Sequence, residues 1–461
     1  MSSVNLFDEF APVSAKAWKQ KIQVDLKGAD YNETLIWKSP EGIDVRPFYH
    51  SDDVLEHAPR ISESPKKWYV AQRLFVDDAK TCNEKAQDFL KRGAESLLIT
   101  IPKETIAIDL LLANIDLETI PVHFEFQFLS LNYVKSLMDY AGKRKAKIFL
   151  NLDIIGNLAR KGNWFHSMDE DYHILQEIHH YAKNYPNIQV LSTDISLYQN
   201  AGAHKVQELA YGLGQANEYL NFFEEVDQKV ATMVFKVAVG TNYFFEIAKL
   251  RALRLLWDTL IQEYGIQADC HILAVPTKRN KTLYDYNVNM LRTTTESMSA
   301  ILGGADVVCN LSYDALFHND NEFGERIARN QLLILKGESY FDKVANPADG
   351  AYYIENLTRQ LAEKALKLFK SMEAGGGFLK QLKEHVIQKK IKESAAKEQL
   401  RFDEGSEVLL GTNKYENEND RMKDHLERDP FLKMKKRKTL IEPVLEKRLA
   451  ESLEQKRLGH E

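Results

Sequence analysis

Between Trp68 and Leu311 the chain alternates eight times between short strand-like runs and amphipathic helical patterns. No other feature narrows the fold as much. The runs are Trp68–Val76, Ser96–Ile101, Val122–Phe128, Lys147–Asp153, Gln189–Ser196, Thr232–Gly240, His271–Thr277 and Asp306–Leu311. Each is rich in Val, Ile, Leu or Phe, as a buried parallel strand requires. The clearest helix between them spans Phe244 to Tyr264, where Ile247, Ala248, Leu250, Leu255, Leu256, Leu260 and Ile261 form a wide apolar stripe at 3.6-residue spacing. Eight β/α units over roughly 250 residues describe a (β/α)8 barrel. The rival is a doubly wound open sheet, whose first strand feeds a glycine-rich phosphate turn. Here Val76 runs into Asp77-Asp78-Ala79-Lys80 without a glycine, so the α/β class resolves to a TIM barrel.

The rest of the chain divides around that barrel. Residues 1–65 read as an irregular N-terminal extended arm, with a turn at Ser39-Pro40-Glu41-Gly42, and the barrel occupies 66–340. A helical extension follows over 341–410, with one amphipathic helix over Ile354–Met372, a break at Gly375-Gly376-Gly377 and a resumed helix over Phe378–Gln399. Residues 411–461 form a charged C-terminal tail, whose most basic point is Lys433 to Lys438. That cluster lacks interleaved aromatics and lies between acidic segments, which favours a solvated or partner-facing tail over nucleic acid or lipid binding. A net charge of -6 agrees. Cys82, Cys270 and Cys309 are far apart and lack CxxC spacing, so neither a zinc site nor a disulfide framework is supported. The first residues lack an apolar core of signal-peptide type, and no run of eighteen apolar residues occurs. These features place the chain in a reducing, cytoplasmic setting without a membrane span.

A set of collinear motifs carries a family resemblance. WKSPEGIDVRPFY (Trp37–Tyr49), SLYQNAGAHKVQELAYGLGQANEYL (Ser196–Leu220), EIAKLRALRLLW (Glu246–Trp257), RTTTESMSAILGGAD (Arg292–Asp306), RIARNQLLIL (Arg326–Leu335), NPADGAYYIENLT (Asn346–Thr358) and MEAGGGF (Met372–Phe378) appear in order. Together they resemble the methylmalonyl-CoA mutases, which use adenosylcobalamin. In the catalytic chains of that family a histidine separates the tyrosine from the Ala-Gly-Ala after the fifth barrel strand. Here Tyr198 passes through Gln199 and Asn200 directly to Ala201, Gly202 and Ala203. The substrate-contacting Tyr-x-Phe-Arg-Pro-Trp of those chains is also missing ahead of the first strand, where Arg60 to Trp68 reads RISESPKKW. The cobalt-ligating Asp-x-His-x-x-Gly is missing as well. Asp171-Tyr172-His173 has the Asp-x-His without the glycine, at a helix start where Asp171 reads as a cap. Roughly 50 residues follow Gly411, too few for a cobalamin-binding Rossmann-like domain.

The resemblance therefore implies a small, non-catalytic chain of a heterodimeric mutase. Its large partner subunit would hold adenosylcobalamin and the acyl-CoA substrate. No catalytic, cofactor-binding or metal residue is then assigned to this chain. Two alternatives remain open: a catalytic barrel chain working with a separate cobalamin-binding chain, and a non-enzymatic scaffold or chaperone with a mutase-like barrel.

Alternation along the strands supplies an independent reading of the barrel interior. It points His123, Glu125 and Gln127, Asn151 and Asp153, Ser192 and Asp194, and Lys236 inward. A lysine among three carboxylates could be an acid/base site. It could equally be a hydrogen-bonded plug in which Lys236 neutralises one or more of Glu125, Asp153 and Asp194. The missing motifs favour the plug, and Phe124, Phe126, Phe149 and Phe235 on the strands are consistent with a filled barrel. A third alternative, a TIM-barrel lyase or isomerase using Lys236, is weaker. His173, His179 and His180 share one helical segment without a matched carboxylate and read as surface histidines, not a metal site. Gly240-Thr241-Asn242 is a weak phosphate-turn signal.

Overall fold

A computed structural model describes residues 10–53, 67–432 and 437–461. Eight parallel strands close into a barrel in chain order: β1 (Tyr69–Phe75), β2 (Ser96–Ile101), β3 (Val122–Phe126), β4 (Ile148–Leu152), β5 (Ile188–Asp194), β6 (Thr232–Val239), β7 (Asp269–Pro276) and β8 (Val307–Cys309). β8 pairs with β1 through Val307↔Tyr69 and completes the ring. All eight coincide with the runs read from the sequence, because strands covered by helices on their outer face are apolar enough to stand out.

Alternation separates two cores. Ala71, Leu98, Phe149, Val234, Leu273 and Val307 cluster inside the ring. Phe124, Phe126 and Phe235 belong to the core between strands and helices, where Phe235 meets the Trp257 ring edge-on at 5.3 Å. Of the four strand phenylalanines, then, only Phe149 fills the barrel. The other three occupy the opposite parity and pack on helices.

The helix Tyr243–Glu263 is buried nearly all round, because the helix Tyr352–Ala374 lies over its outer side. The extension resumes after Gly377, but not as one helix. Phe378–Lys383 ends at His385, which takes φ +62°, and Val386–Asp403 begins afresh. The N-terminal arm carries the hairpin pair Trp37–Lys38 and Asp44–Val45 around Gly42, and it packs Trp37 on Phe245 and Tyr49 on Tyr353. Gly202, at φ +100°, lets the helix Val386–Asp403 approach closely, since a Cβ there would lie 2.4 Å from Ala395 Cβ. Among the described residues no helix is long and apolar enough to cross a membrane.

Candidate functional site

The C-terminal ends of the strands surround a cavity of about 1120 Å³, the end of the barrel where TIM-barrel chemistry is placed. Its floor is an ionic chain. Lys236 Nζ on β6 donates to Glu125 Oε1 on β3 at 2.5 Å and to Asp194 Oδ2 on β5 at 3.2 Å. Asp194 also accepts from Arg160 Nη2 at 2.7 Å, and Arg160 continues to Glu446 Oε1 at 3.2 Å. Lys278 Nζ closes the chain on Glu446 Oε2 at 3.5 Å. Burial opposes charge at Lys236, Glu125 and Asp194, but the opposite charges win. The Asp194 and Glu125 carboxyls are held below the ordinary carboxylate range by Lys236 and its neighbours, and the Lys236 ammonium is held above its own. Lys236, Glu125 and Asp194 are thus each held in their charged form, whereas, against the pull of Glu446, burial and the neighbouring cations lower the pKa of Lys278.

Asp153 does not join this chain. β4 carries one extra residue relative to β5, between the pairs Phe149↔Gln189 and Leu152↔Leu191, and Asn151 there takes φ +44°. Beyond the bulge Asp153 caps the helix Ile154–Lys161 through Gly156 N at 2.8 Å. It also accepts from Asp194 N at 2.8 Å, Gln215 Nε2 at 2.6 Å and Tyr219 OH at 2.7 Å. Burial nevertheless raises its pKa. Four donors converge on it, so Asp153→Ala should cost about 2 kcal/mol through the lost cap and two buried side chains left unpaired. Thermal or urea unfolding measures this, and a loss below about 0.5 kcal/mol would contradict the assignment.

Below the ionic floor the barrel is plugged by rings. Phe149 stacks on His123 at 4.3 Å and on His271 at 4.1 Å. Burial holds His123 well below its usual pKa and His271 at about 4, so both are neutral. Asn151 reaches His123 Nδ1 at 3.4 Å, while Ser192 and Gln127 line the cavity wall.

The Tyr198 loop is turned away from the cavity. The Tyr198 ring is fully buried, and its hydroxyl donates to Gln215 Oε1 in the helix Lys205–Glu225. Asn200 faces the mouth instead. Its Oδ1 accepts from Thr277 Oγ1 at 3.0 Å and Lys278 N at 2.9 Å, and its Nδ2 reaches Glu446 Oε1 at 3.3 Å.

Glu446 belongs to the segment 437–461, which packs on the mouth and is not a solvated tail. Ile441, Val444, Leu449 and Ala450 in it are buried. Of the basic cluster, 433–436 lie outside the described residues, as do residues 60–66 ahead of β1. Arg437 Nη2 donates to Lys161 O at 2.6 Å. The Glu446 carboxyl is held at about 2, below an ordinary value near 4.5, by Lys278 and Arg160 against burial. A depressed carboxylate pKa adds stability that is complete above about pH 5 and lost as pH falls towards 2. The stability difference between the wild type and Glu446→Gln should therefore shrink steadily from pH 6 to pH 2.5 in urea titrations. A difference independent of pH would remove Glu446 from these ion pairs.

The remaining candidates are structural. Asp171 is not the helix cap. Ser167 caps Met168–Ala182, while Asp171 accepts from Phe165 N and His166 N just ahead of it. Of the three histidines on that helix, His173 and His180 are exposed. His179 is half-buried, packs on Phe223 and pairs its Nδ1 with Gln228 Oε1 at 2.8 Å, so it is not a surface histidine. No metal-ligating cluster occurs among the described residues. The Glu246 carboxylate lies against Gly240, where a phosphate turn would hold its ligand. All three cysteines are free and buried. Sequence reasoning missed Arg73, Arg160, Lys278 and Glu446. Arg73 shares the inward parity of Ala71 on β1 and was within reach of alternation. The other three lie outside the strands, where no periodicity applies.

A corrin fits this mouth poorly. Among the described residues no histidine lines the cavity, the two interior histidines are stacked beneath the ionic floor, and segment 437–461 lies across the opening.

Comparison with known proteins agrees with the architecture. A family model for methylmalonyl-CoA mutase matches residues 103–458. The methylmalonyl-CoA mutase small subunit of Porphyromonas gingivalis is 35% identical over 442 residues, covering 89% of this chain and 71% of that protein. The methylmalonyl-CoA mutase of Rhizobium meliloti is 30% identical over 472 residues, covering 90% and 65%. The mitochondrial methylmalonyl-CoA mutase of Homo sapiens is 28% identical over 456 residues, covering 87% and 60%. The chain thus spans about two thirds of these relatives' length. With its closed eight-stranded barrel and this match over most of its length, the chain belongs to the methylmalonyl-CoA mutase family.

Proposed function

We propose that this chain is the small, non-catalytic subunit of a heterodimeric methylmalonyl-CoA mutase. It supports the interconversion of (R)-methylmalonyl-CoA and succinyl-CoA by a large subunit that binds adenosylcobalamin and substrate. The observation that carries this reading is the mouth of the barrel. Asn200 stands in the loop where catalytic relatives place a histidine, and it is tied to Glu446 of an overlying segment. Lys236, Arg160, Asp194 and Glu125 neutralise one another instead of facing a reactant. A folded barrel of this kind can stabilise a partner by binding only its folded state. Three reduced, buried cysteines suit a cytoplasmic setting.

The test is mutase activity with adenosylcobalamin and methylmalonyl-CoA, measured for this chain alone, for the large subunit alone and for their mixture. We expect silence from this chain and a one-to-one active complex on mixing. Turnover by this chain without its partner would overturn the non-catalytic assignment. Failure to form any complex would overturn the subunit assignment.

A further inference from the structure

The segment that crosses the mouth is held by backbone hydrogen bonds to three βα-loops. Leu440 N and Ile441 N donate to Gly162 O at 2.9 and 3.1 Å, and Val444 N donates to Ala159 O at 2.8 Å, all after β4. Lys447 N donates to Asn200 O at 3.0 Å after β5, and Leu449 N to Arg279 O at 3.0 Å after β7. Gly162, at φ +74°, leaves room for the crossing, since a Cβ there would lie 2.7 Å from Ile441 O. Between these anchors Glu446 enters an inner pocket of about 50 Å³. Four cations line that pocket, Arg73, Arg160, Lys236 and Lys278, and Glu446 is the only acid on its wall among the described residues. Side-chain donors from Arg160, Lys278 and Asn200 all end on its two oxygens. Glu125 and Asp194 offset two of these four charges from outside the pocket, and the remaining excess of positive charge around so small a space favours an anion among them.

We propose that the segment Leu440–Leu449 is a built-in occupant of the barrel mouth, its Glu446 carboxylate filling an oxyanion position that would otherwise accept a small free anion of the phosphate or carboxylate class. Tethering gives this internal carboxylate an effective concentration that a free anion in the millimolar range cannot match. The mouth is therefore closed to anions by the chain itself, whether or not the chain serves as a subunit.

The experiment is calorimetric titration of the full chain with inorganic phosphate at low ionic strength, where the field of the four cations is least screened. Glu446→Gln keeps the shape and removes the charge. We expect it to bind phosphate at least roughly tenfold tighter than wild type. The double variant Arg160→Met/Glu446→Gln should lose that gain. Equal affinities for wild type and Glu446→Gln, or no binding by either, would overturn the proposal. A second measurement reads the segment itself. In Glu446→Gln, added phosphate should alter hydrogen exchange at the amides of Lys447 and Leu449 relative to the same concentration of sodium chloride, while wild type stays unchanged. An equal response in both chains, or none in either, would also overturn it.

Discussion

Replacing Lys249 with methionine is expected to destabilise the folded chain by about 3–5 kcal/mol. Lys249 has no solvent exposure and donates to Glu208 Oε2 at 2.8 Å and to Ala238 O at 2.7 Å. It also pairs with Glu246 Oε2 at 2.7 Å, one turn away on the same helix. Lys205 lies 3.3 Å from Glu246 and 3.6 Å from Glu41 of the N-terminal arm. Three buried carboxylates therefore depend on two lysines. Burial holds the Glu208 carboxyl up at about 7 against the pull of Lys249. Methionine matches the lysine in length but leaves Glu208 and Glu246 facing each other in a dry helix layer. Urea unfolding at pH 7.5 with an unchanged m-value reads the loss directly. The control is Lys21→Met, which removes an exposed Lys21–Asp25 pair and should change stability by less than about 0.5 kcal/mol. A Lys249→Met loss below about 1 kcal/mol would mean that the cluster is hydrated and contributes little.

That cluster bears on how much of this molecule was legible in its sequence. The strands were readable because β-branched and aromatic runs of fixed length have few other uses. The family motifs were also visible, but their roles were not. Glu246, Lys249, Arg251 and Arg254 of EIAKLRALRLLW proved to be interhelical ties. Arg251 reaches Asn346, Asp349 and Glu355 of NPADGAYYIENLT, and Arg254 reaches Asp306 at the end of RTTTESMSAILGGAD. One motif grips the next, and pairing across some 95 residues leaves no local trace in a sequence. Asp153 shows a second limit. Strand parity placed it inside the barrel, but a single bulge at Asn151 turned it to cap a helix. Glu446 shows a third. It comes from a stretch that composition marks as charged and solvated, and only folding carries it to Arg160.

Lys236→Met should cost about 3 kcal/mol in stability and leave the mutase activity of the reconstituted complex within about twofold of wild type. The sequence offered two roles for this lysine, acid/base group or neutralising plug, and they part company under this substitution. As a plug, Lys236 compensates Glu125 and Asp194 together. Removing it leaves Asp194 with Arg160, but leaves Glu125 with only the Thr100 hydroxyl at 3.3 Å and the more distant field of Arg73. The energetic loss follows from that uncompensated carboxylate, so Lys236→Met/Glu125→Gln should recover part of it. As a proton-transfer group, Lys236 would contribute roughly 10²–10⁴-fold to turnover, and its loss would appear in kcat whatever happened to stability. The geometry argues for the plug. A group that donates protons needs a pKa near the working pH, whereas the two acids raise that of Lys236 above its ordinary value. A fall of more than tenfold in kcat in a folded, complexed Lys236→Met chain would reverse that conclusion and assign chemistry to this barrel.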